Sequence, residues 1–294
     1  MTDMLVVLAD GRVMGEIRRS RAGRLTFVYD DGWRTSSNAY PLSLSMPLVV
    51  AEHEHGRIEP WLWGLLPDNE GILARWGQRF QVSPRNPFAL LSVVGEDCAG
   101  AIQLVAPDRA PALMEADQGS VTWLSSSDIA KRLALLRKDQ SAWRVARDTG
   151  QFSLAGAQPK TALLFDGERW GVPSGRTATT HILKPPIDVF DGHAENEHLC
   201  LALARTLGLA SARSRVLRFE DEVAIVVERY DRLRSPTGIR RLHQEDLCQA
   251  LGLSPTRKYQ NEGGPGVSEM LEVIRIHSGE PQEDAWTFAR ACMF

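Results

Sequence analysis

Residues 152–164 read FSLAGAQPKTALL: an apolar start, then Ala-Gly-Ala, a lysine, and an apolar run again. Small residues and a cation between two strand-like runs suit a place where a flat or charged group approaches the backbone. Gly156 removes the Cβ obstacle, and exposed amide N–H groups can donate to an anion such as a phosphate. An ordinary hairpin would have the same composition, so the segments that follow decide the reading.

Downstream, DGERWGVP carries the turn pair Asp166-Gly167, and THILKPP is a short strand ended by two prolines. AENEHLCLALARTLGL is a helix with Leu199, Leu203 and Leu207 at helical spacing, expected to form its apolar stripe. ARSRVLRFEDEVAIVVERYDR gives two strands around Glu220-Asp221-Glu222, and 243–294 is largely helical. Strand, small-residue loop, lysine strand, helix, two strands and then helices is the order of a protein-kinase ATP lobe entering its helical lobe. The loop lacks the full G-x-G-x-x-G, which leaves a kinase-like reading open on pattern alone.

Upstream, 4–50 alternates short apolar runs with the hairpin-type pairs Asp10-Gly11 and Asp31-Gly32 and predicts a small β-rich unit. LPDNEGILARWGQRF predicts a helix capped by Asp68, with Ile72, Leu73, Trp76 and Phe80 on one face. VSPRNPFALLSVVG predicts another, capped by Ser83 with Pro84 in its first turn. GAIQLVAP is a closing strand, 107–120 reads as a Pro-, Ala- and acid-rich linker, and 125–147 is a helix with Ile129, Leu133 and Leu136 inward. The expected organisation is 1–106 N-terminal subdomain, 107–150 linker and helix, 151–235 ATP-binding lobe, and 236–294 the start of a helical lobe.

Of the 294 residues 43 % are hydrophobic and 24 % charged, and the net charge is −3, which argues against nucleic-acid binding through global charge. Arg232, Arg234, Arg240 and Arg241 form a local basic cluster, read as solvated surface. Cys98, Cys200, Cys248 and Cys292 are scattered among apolar neighbours without a Cys-x-x-Cys pair, and are read as buried free thiols rather than disulfides or metal ligands. The N-terminus reads as a first strand rather than a signal peptide. No run approaches the roughly 18–20 apolar residues of a membrane span, so a cytoplasmic protein without a membrane partner is expected.

Several stretches together resemble the HipA family of bacterial toxin kinases, partners of HipB-type antitoxins. They are LPDNEGILARWGQRFQVSPRNPFALLSVVGEDCAGAIQL (66–104), FSLAGAQPKTALL (152–164), THILKPP (180–186), ENEHLCLALA (195–204), VVERYDR (226–232), RLHQEDLCQALG (241–252) and KYQNEGGPGVSEM (258–270). The resemblance implies an α+β, protein-kinase-like, PI-kinase-related bilobal fold with a small β-rich N-terminal subdomain. It implies a serine/threonine kinase using ATP and Mg²⁺, with an aminoacyl-tRNA synthetase-like protein target. It also implies a helix-turn-helix HipB-like antitoxin and, through that complex, operator DNA.

By the same resemblance, Ala155, Gly156, Ala157, Gln158, Pro159 and Lys160 form the phosphate loop, and Lys184 is the ATP lysine. Glu228, Arg229 and Tyr230 form the adenine-contacting hinge, and Ser153 is the autophosphorylated serine. A lysine flanked by Ile182, Leu183 and Pro185 needs a counter-charge, because burying an unpaired ammonium is costly. Either Glu195 or Glu197 of the following helix could supply one. DGHAEN at 191–196 mimics a kinase catalytic loop, but it precedes the hinge, so Asp191 and Asn196 are read as helix-start residues.

The run WTFARACMF is still helical at Phe294, and the resemblance implies that the catalytic Asp and the Mg²⁺ ligands lie beyond it. On this reading the C-terminal lobe is incomplete, no catalytic or metal-binding residue is assigned here, and the chain binds ATP without transferring phosphate. The alternatives are a non-catalytic pseudokinase or co-repressor scaffold, and a lipid or small-molecule kinase. No basic amphipathic helix favours the last.

Overall fold

The computed structural model describes residues 3–115, 119–139, 142, 152–187, 191–235 and 238–294. Alternating apolar residues near the N-terminus build an antiparallel sheet from β1 (Met4–Ala9), β2 (Arg12–Arg19), β3 (Leu25–Tyr29), β4 (Glu52–Glu54) and β5 (Ile102–Val105), in the order β4-β3-β2-β1-β5. Asp10 and Gly11 have φ of 49° and 75°, the left-handed pair that a two-residue hairpin turn needs. One face packs on α2 (His55–Trp63), α3 (Glu70–Phe80) and α4 (Pro87–Val94), burying Phe27, Ile58, Trp61 and Leu90. The other face of β1 presents Val6 and Leu8 to Ala110 and Leu113 of α5 (Ala110–Met114). The stretch expected to be a linker is therefore partly core, because a central strand has two faces to cover.

Three local expectations are corrected, each by a side chain one to three residues away. Asp31-Gly32 is not a hairpin. Asp30 accepts the Trp33 N–H at 2.9 Å and starts α1 (Asp31–Arg34), which buries Trp33. Asn69, not Asp68, caps α3, accepting from the Gly71 and Ile72 amides. Asn86, not Ser83, caps α4 with Pro87 in its first turn; the Pro-after-cap logic holds three residues later than expected.

The second sheet has the order β10-β11-β9-β7-β8-β6, from β6 (Gly119–Leu124), β7 (Thr161–Phe165), β8 (Trp170–Gly175), β9 (His181–Lys184), β10 (Ser214–Phe219) and β11 (Glu222–Glu228), all antiparallel. Here again the stretch expected to be a linker ends in structure, since β6 pairs along β8. Helix α6 (Ser126–Lys138) opens with a Ser125/Asp128 capping box and lays Ile129 and Leu133 on Leu163, Leu183 and Val226. Beyond it, the expected helical residues 140–147, apart from Ala142, lie outside the described residues, as does Gln151. Helix α7 (His193–Thr206) packs on β10 and β11 from the opposite face. Its buried residues are Ala194 and Ala204, whereas Leu199, Leu203 and Leu207 are exposed, contrary to the expected stripe.

A hairpin of β12 (Arg232–Ser235) and β13 (Gly238–Arg241) leads into α8 (Leu247–Leu251), α9 (Val267–His277) and α10 (Pro281–Met293). The N-terminal unit seats on α8: Gln249 donates to the Trp61 carbonyl and its own carbonyl accepts from Ser43 and Ser45. No helix among the described residues is long and apolar enough to cross a membrane.

Leu133 is fully buried between α6 and the second sheet. Leu133→Ala is expected to cost about 2–5 kcal/mol by urea denaturation, and Leu199→Ala on the exposed stripe less than about 0.5 kcal/mol.

Candidate nucleotide site

Strand β9 alternates its side chains, so Leu183 enters the core under α6 while Lys184 points to the α7 side. There the Lys184 ammonium lies 2.6 Å from a Glu197 carboxylate oxygen, with both side chains about a quarter exposed. The open choice is resolved: Glu197 pairs with the lysine and Glu195 is exposed in the first turn. Gly192 occupies the N-cap with no side-chain cap, so neither Asp191 nor Asn196 performs the helix-start role expected of it.

The loop 155–160 arrives beside this pair. Gly156 has φ of 104°, and a Cβ there would sit 3.0 Å from the Lys160 ammonium. Lys160 is buried and donates to the Ala155 carbonyl at 2.9 Å, which closes the loop on itself. Burial and the neighbouring Lys184 charge push its ammonium down to about 8, while Asp68 and Glu197 pull the other way. Among the described residues nothing accepts from the backbone N–H groups of Ala155, Gly156, Ala157 and Gln158. Gln158 reaches His193 at the start of α7, Pro159 is buried, and Ala155 and Ala157 are exposed at the tip. Two ammonium groups and four backbone N–H groups without a protein acceptor among the described residues thus stand together at this loop.

The loop is not flanked by two strands of its own sheet. Phe152 instead makes a parallel bridge with Asp97, and the Ser153 N–H donates to the Asp97 carbonyl at 3.1 Å. The Ser153 hydroxyl is fully buried and donates to the Leu65 carbonyl at 2.7 Å. From the same unit, Asp68 reaches Lys258 at 3.0 Å, so both cleft carboxylates are engaged by lysines.

The hinge residues diverge. The amide of Glu228 donates to Arg213 and that of Arg229 to Thr180, so both N–H groups are already engaged. Tyr230 is exposed and its hydroxyl bonds Gln244. The Arg229 guanidinium is buried on Asp231 at 2.8 and 3.0 Å. It belongs to a buried cluster with Arg232, Arg241, Asp97 and Asp231. Although burial opposes ionisation, the three arginines hold the Asp97 carboxyl well below the usual range. Burial and Arg229 push Arg232 down to about 10, still cationic at neutral pH.

Two members of the supposed surface cluster, Arg232 and Arg241, are thus core groups, because carboxylates wait for them in the interior. Arg234 and Arg240 remain exposed. Of the cysteines only Cys98 is buried, its thiol pushed up to about 12 by burial and Asp97; Cys248 is half-buried, and Cys200 and Cys292 are exposed on α7 and α10. The residues missed in the sequence are Leu65, Asp68, Asp97, Thr179 and Lys258, which meet the site only through tertiary contacts. The charge-rich run Glu96-Asp97 beside apolar Val93-Val94 was the one local signal.

The HipA N-terminal domain model matches residues 5–105, and the HipA-like C-terminal domain model matches 152–294. A putative kinase, Y4mE, of Sinorhizobium fredii is 39 % identical over 294 residues, 99 % of this chain and 69 % of its own length. The serine/threonine-protein kinase toxin HipA of Shewanella oneidensis is 32 % identical over 268 residues, 90 % of this chain and 58 % of its own. The solved Shewanella oneidensis MR-1 HipA, in complex with HipB and operator DNA, superposes with a TM-score of 0.71 at 28 % identity, covering 94 % of this chain and 61 % of that one. The α+β, kinase-like bilobal architecture expected from the sequence is the one observed.

Ser153→Ala leaves the buried Leu65 carbonyl without its donor and is expected to cost about 1–3 kcal/mol in urea denaturation. Ser153→Asp, which places an unpaired charge there, is expected to cost more than the alanine variant. Equal midpoints for the two would contradict the buried position.

Proposed function

The chain belongs to the HipA family, and on that premise we propose that it binds ATP between residues 155–160 and Lys184 as the nucleotide lobe of a serine/threonine protein kinase toxin. The Lys184–Glu197 pair carries the reading: a strand lysine held by a helix glutamate is the arrangement that presents an ammonium to nucleotide phosphates. Lys160 adds a second cation, the amides of 155–158 are available donors, and Gly156 lets a phosphate approach the backbone. The adenine would meet the Glu228–Tyr230 segment through carbonyls, since its first two amides are engaged. Mg²⁺ would enter on the phosphates, whose charge it neutralises during transfer.

The wider role follows the relatives: transfer of the ATP γ-phosphate to a serine of a protein target, aminoacyl-tRNA synthetase-like by resemblance, restraint by a HipB-like helix-turn-helix antitoxin, and operator binding through that complex. Cytoplasmic action fits these partners. Ser153 is the proposed autophosphorylation site. Its buried hydroxyl means that a phosphate is added only after 152–154 leaves Leu65, and the charge then prevents return. The rival reading is a non-catalytic co-repressor scaffold, for which the same Lys184–Glu197 pair would serve nucleotide binding without transfer.

Binding of a fluorescent ATP analogue with Mg²⁺ is expected to weaken at least about tenfold in Lys184→Met and in Glu197→Gln, and to be unchanged in Glu195→Gln. Undiminished binding in Lys184→Met would sink the assignment. Radiolabelled phosphate transfer, measured on the protein as its host makes it and with its antitoxin, separates the two: transfer is expected of the kinase and none of the scaffold.

The pH dependence has a defined sign. Lys160 titrates near 8 without ligand, and phosphates favour its charged form, so nucleotide binding takes up protons at pH 8.5 and not at pH 6.5. Calorimetry in two buffers of different ionisation enthalpy reads this uptake, and Lys160→Met abolishes it.

A further inference from the structure

We propose that Asp97, outside the nucleotide site, is a positioning residue for the phosphate loop, through which the N-terminal unit sets the loop's geometry. The proposal rests on the nucleotide reading above only for its functional readout.

Asp97 acts with both its side chain and its backbone. One carboxylate oxygen accepts from Arg232 at 2.7 Å and Arg241 at 3.1 Å; the other accepts from the Thr179 amide at 3.0 Å and hydroxyl at 2.7 Å, with Arg229 at 3.6 Å. The following residues are gripped by the same arginines. The Cys98 carbonyl accepts from Arg229 and Arg232, the Gly100 carbonyl from Arg232, and the Gly100 amide donates to Asp231. Gly100, at φ of 78°, lies so close to Gln244 that a Cβ would sit 2.8 Å from its carbonyl oxygen. The turn 97–100 is therefore fixed in place by the kinase-like lobe. Among the described residues, the Asp97 carbonyl accepts the Ser153 N–H and Asp97 bridges Phe152, two and three residues before the loop begins.

The consequence is mechanical. Among the described residues the loop's N-terminal root has no strand partner in its own sheet, and it is held by Asp97 and by the Leu65 carbonyl. With the Asp97 carboxylate held by four residues and the Cys98 and Gly100 carbonyls held by Arg229 and Arg232, the peptide that carries the Asp97 carbonyl is restrained from both sides. Loosening the carboxylate should free the loop while leaving Lys184 and its Glu197 partner in place.

Hydrogen exchange of the 152–160 peptide, and Mg·ATP-analogue binding, are measured for wild type, Asp97→Asn, Thr179→Val and, as a control of equal or greater global destabilisation, Leu133→Ala. The expected result is exchange about tenfold faster at the Ser153 amide and affinity about tenfold weaker in Asp97→Asn, with a smaller shift of the same kind in Thr179→Val, and neither in Leu133→Ala. Should Asp97→Asn not fold, Thr179→Val, which keeps every charge, decides alone. Wild-type loop protection in the folded variants, or an equal loss in Leu133→Ala, overturns the proposal. A wild-type chain that binds no nucleotide overturns the nucleotide reading instead, and the exchange data still decide the role of Asp97.

Discussion

Three guanidinium groups and two carboxylates share one buried volume between the two halves of this chain, and the remaining architecture depends on their pairing. Removing charges from water costs several kcal/mol per ion, recovered only where each finds partners at good geometry. The cluster answers its charges, all but the buried Arg241 Nε, with donors and acceptors from three places: 97–100 of the N-terminal unit, Thr179 before β9, and the segment after β11 with its hairpin that carries Arg229, Arg232 and Arg241. Separating the halves would leave charges buried or force both faces to rehydrate. The two units are thereby bound to one relative placement.

That placement brings a second set of charges together in the cleft. Lys184 and Lys160 would repel each other if left alone, and Glu197 and Asp68 offset them, one from α7 and one from the N-terminal unit. The cleft thus holds cations on a loop closed by Lys160 on its own Ala155 carbonyl. A bound polyphosphate would replace that internal bond with stronger charge-assisted ones. The N-terminal unit is part of this site as well as of the fold, because it supplies Leu65, Asp68 and Asp97.

Much of the lobe was legible from local pattern. The Lys184 strand, α7 after it and the β10–β11 turn follow from spacing and turn chemistry, as does the Asp10-Gly11 hairpin. Caps were legible in kind but misplaced by one to three residues at Asp68 and Ser83, because several neighbouring side chains could accept the same amides. The leucines at 199, 203 and 207 have helical spacing, yet spacing states only that they share a face, not that anything covers it. Arg232 and Arg241 looked like surface for the same reason.

What the sequence by itself determined is short-range: where strands and helices form, where Gly156 permits close approach, and that a lysine stands among apolar neighbours at Lys184. These rest on backbone sterics and on side chains a few residues apart. Only the tertiary structure decided that Glu197 rather than Glu195 answers Lys184, that Ser153 is buried against Leu65, and that Asp97 gathers arginines from 132 to 144 residues downstream. The physical reason is desolvation: whether a charge pairs or faces water depends on which distant groups share its volume, and local pattern carries no record of that.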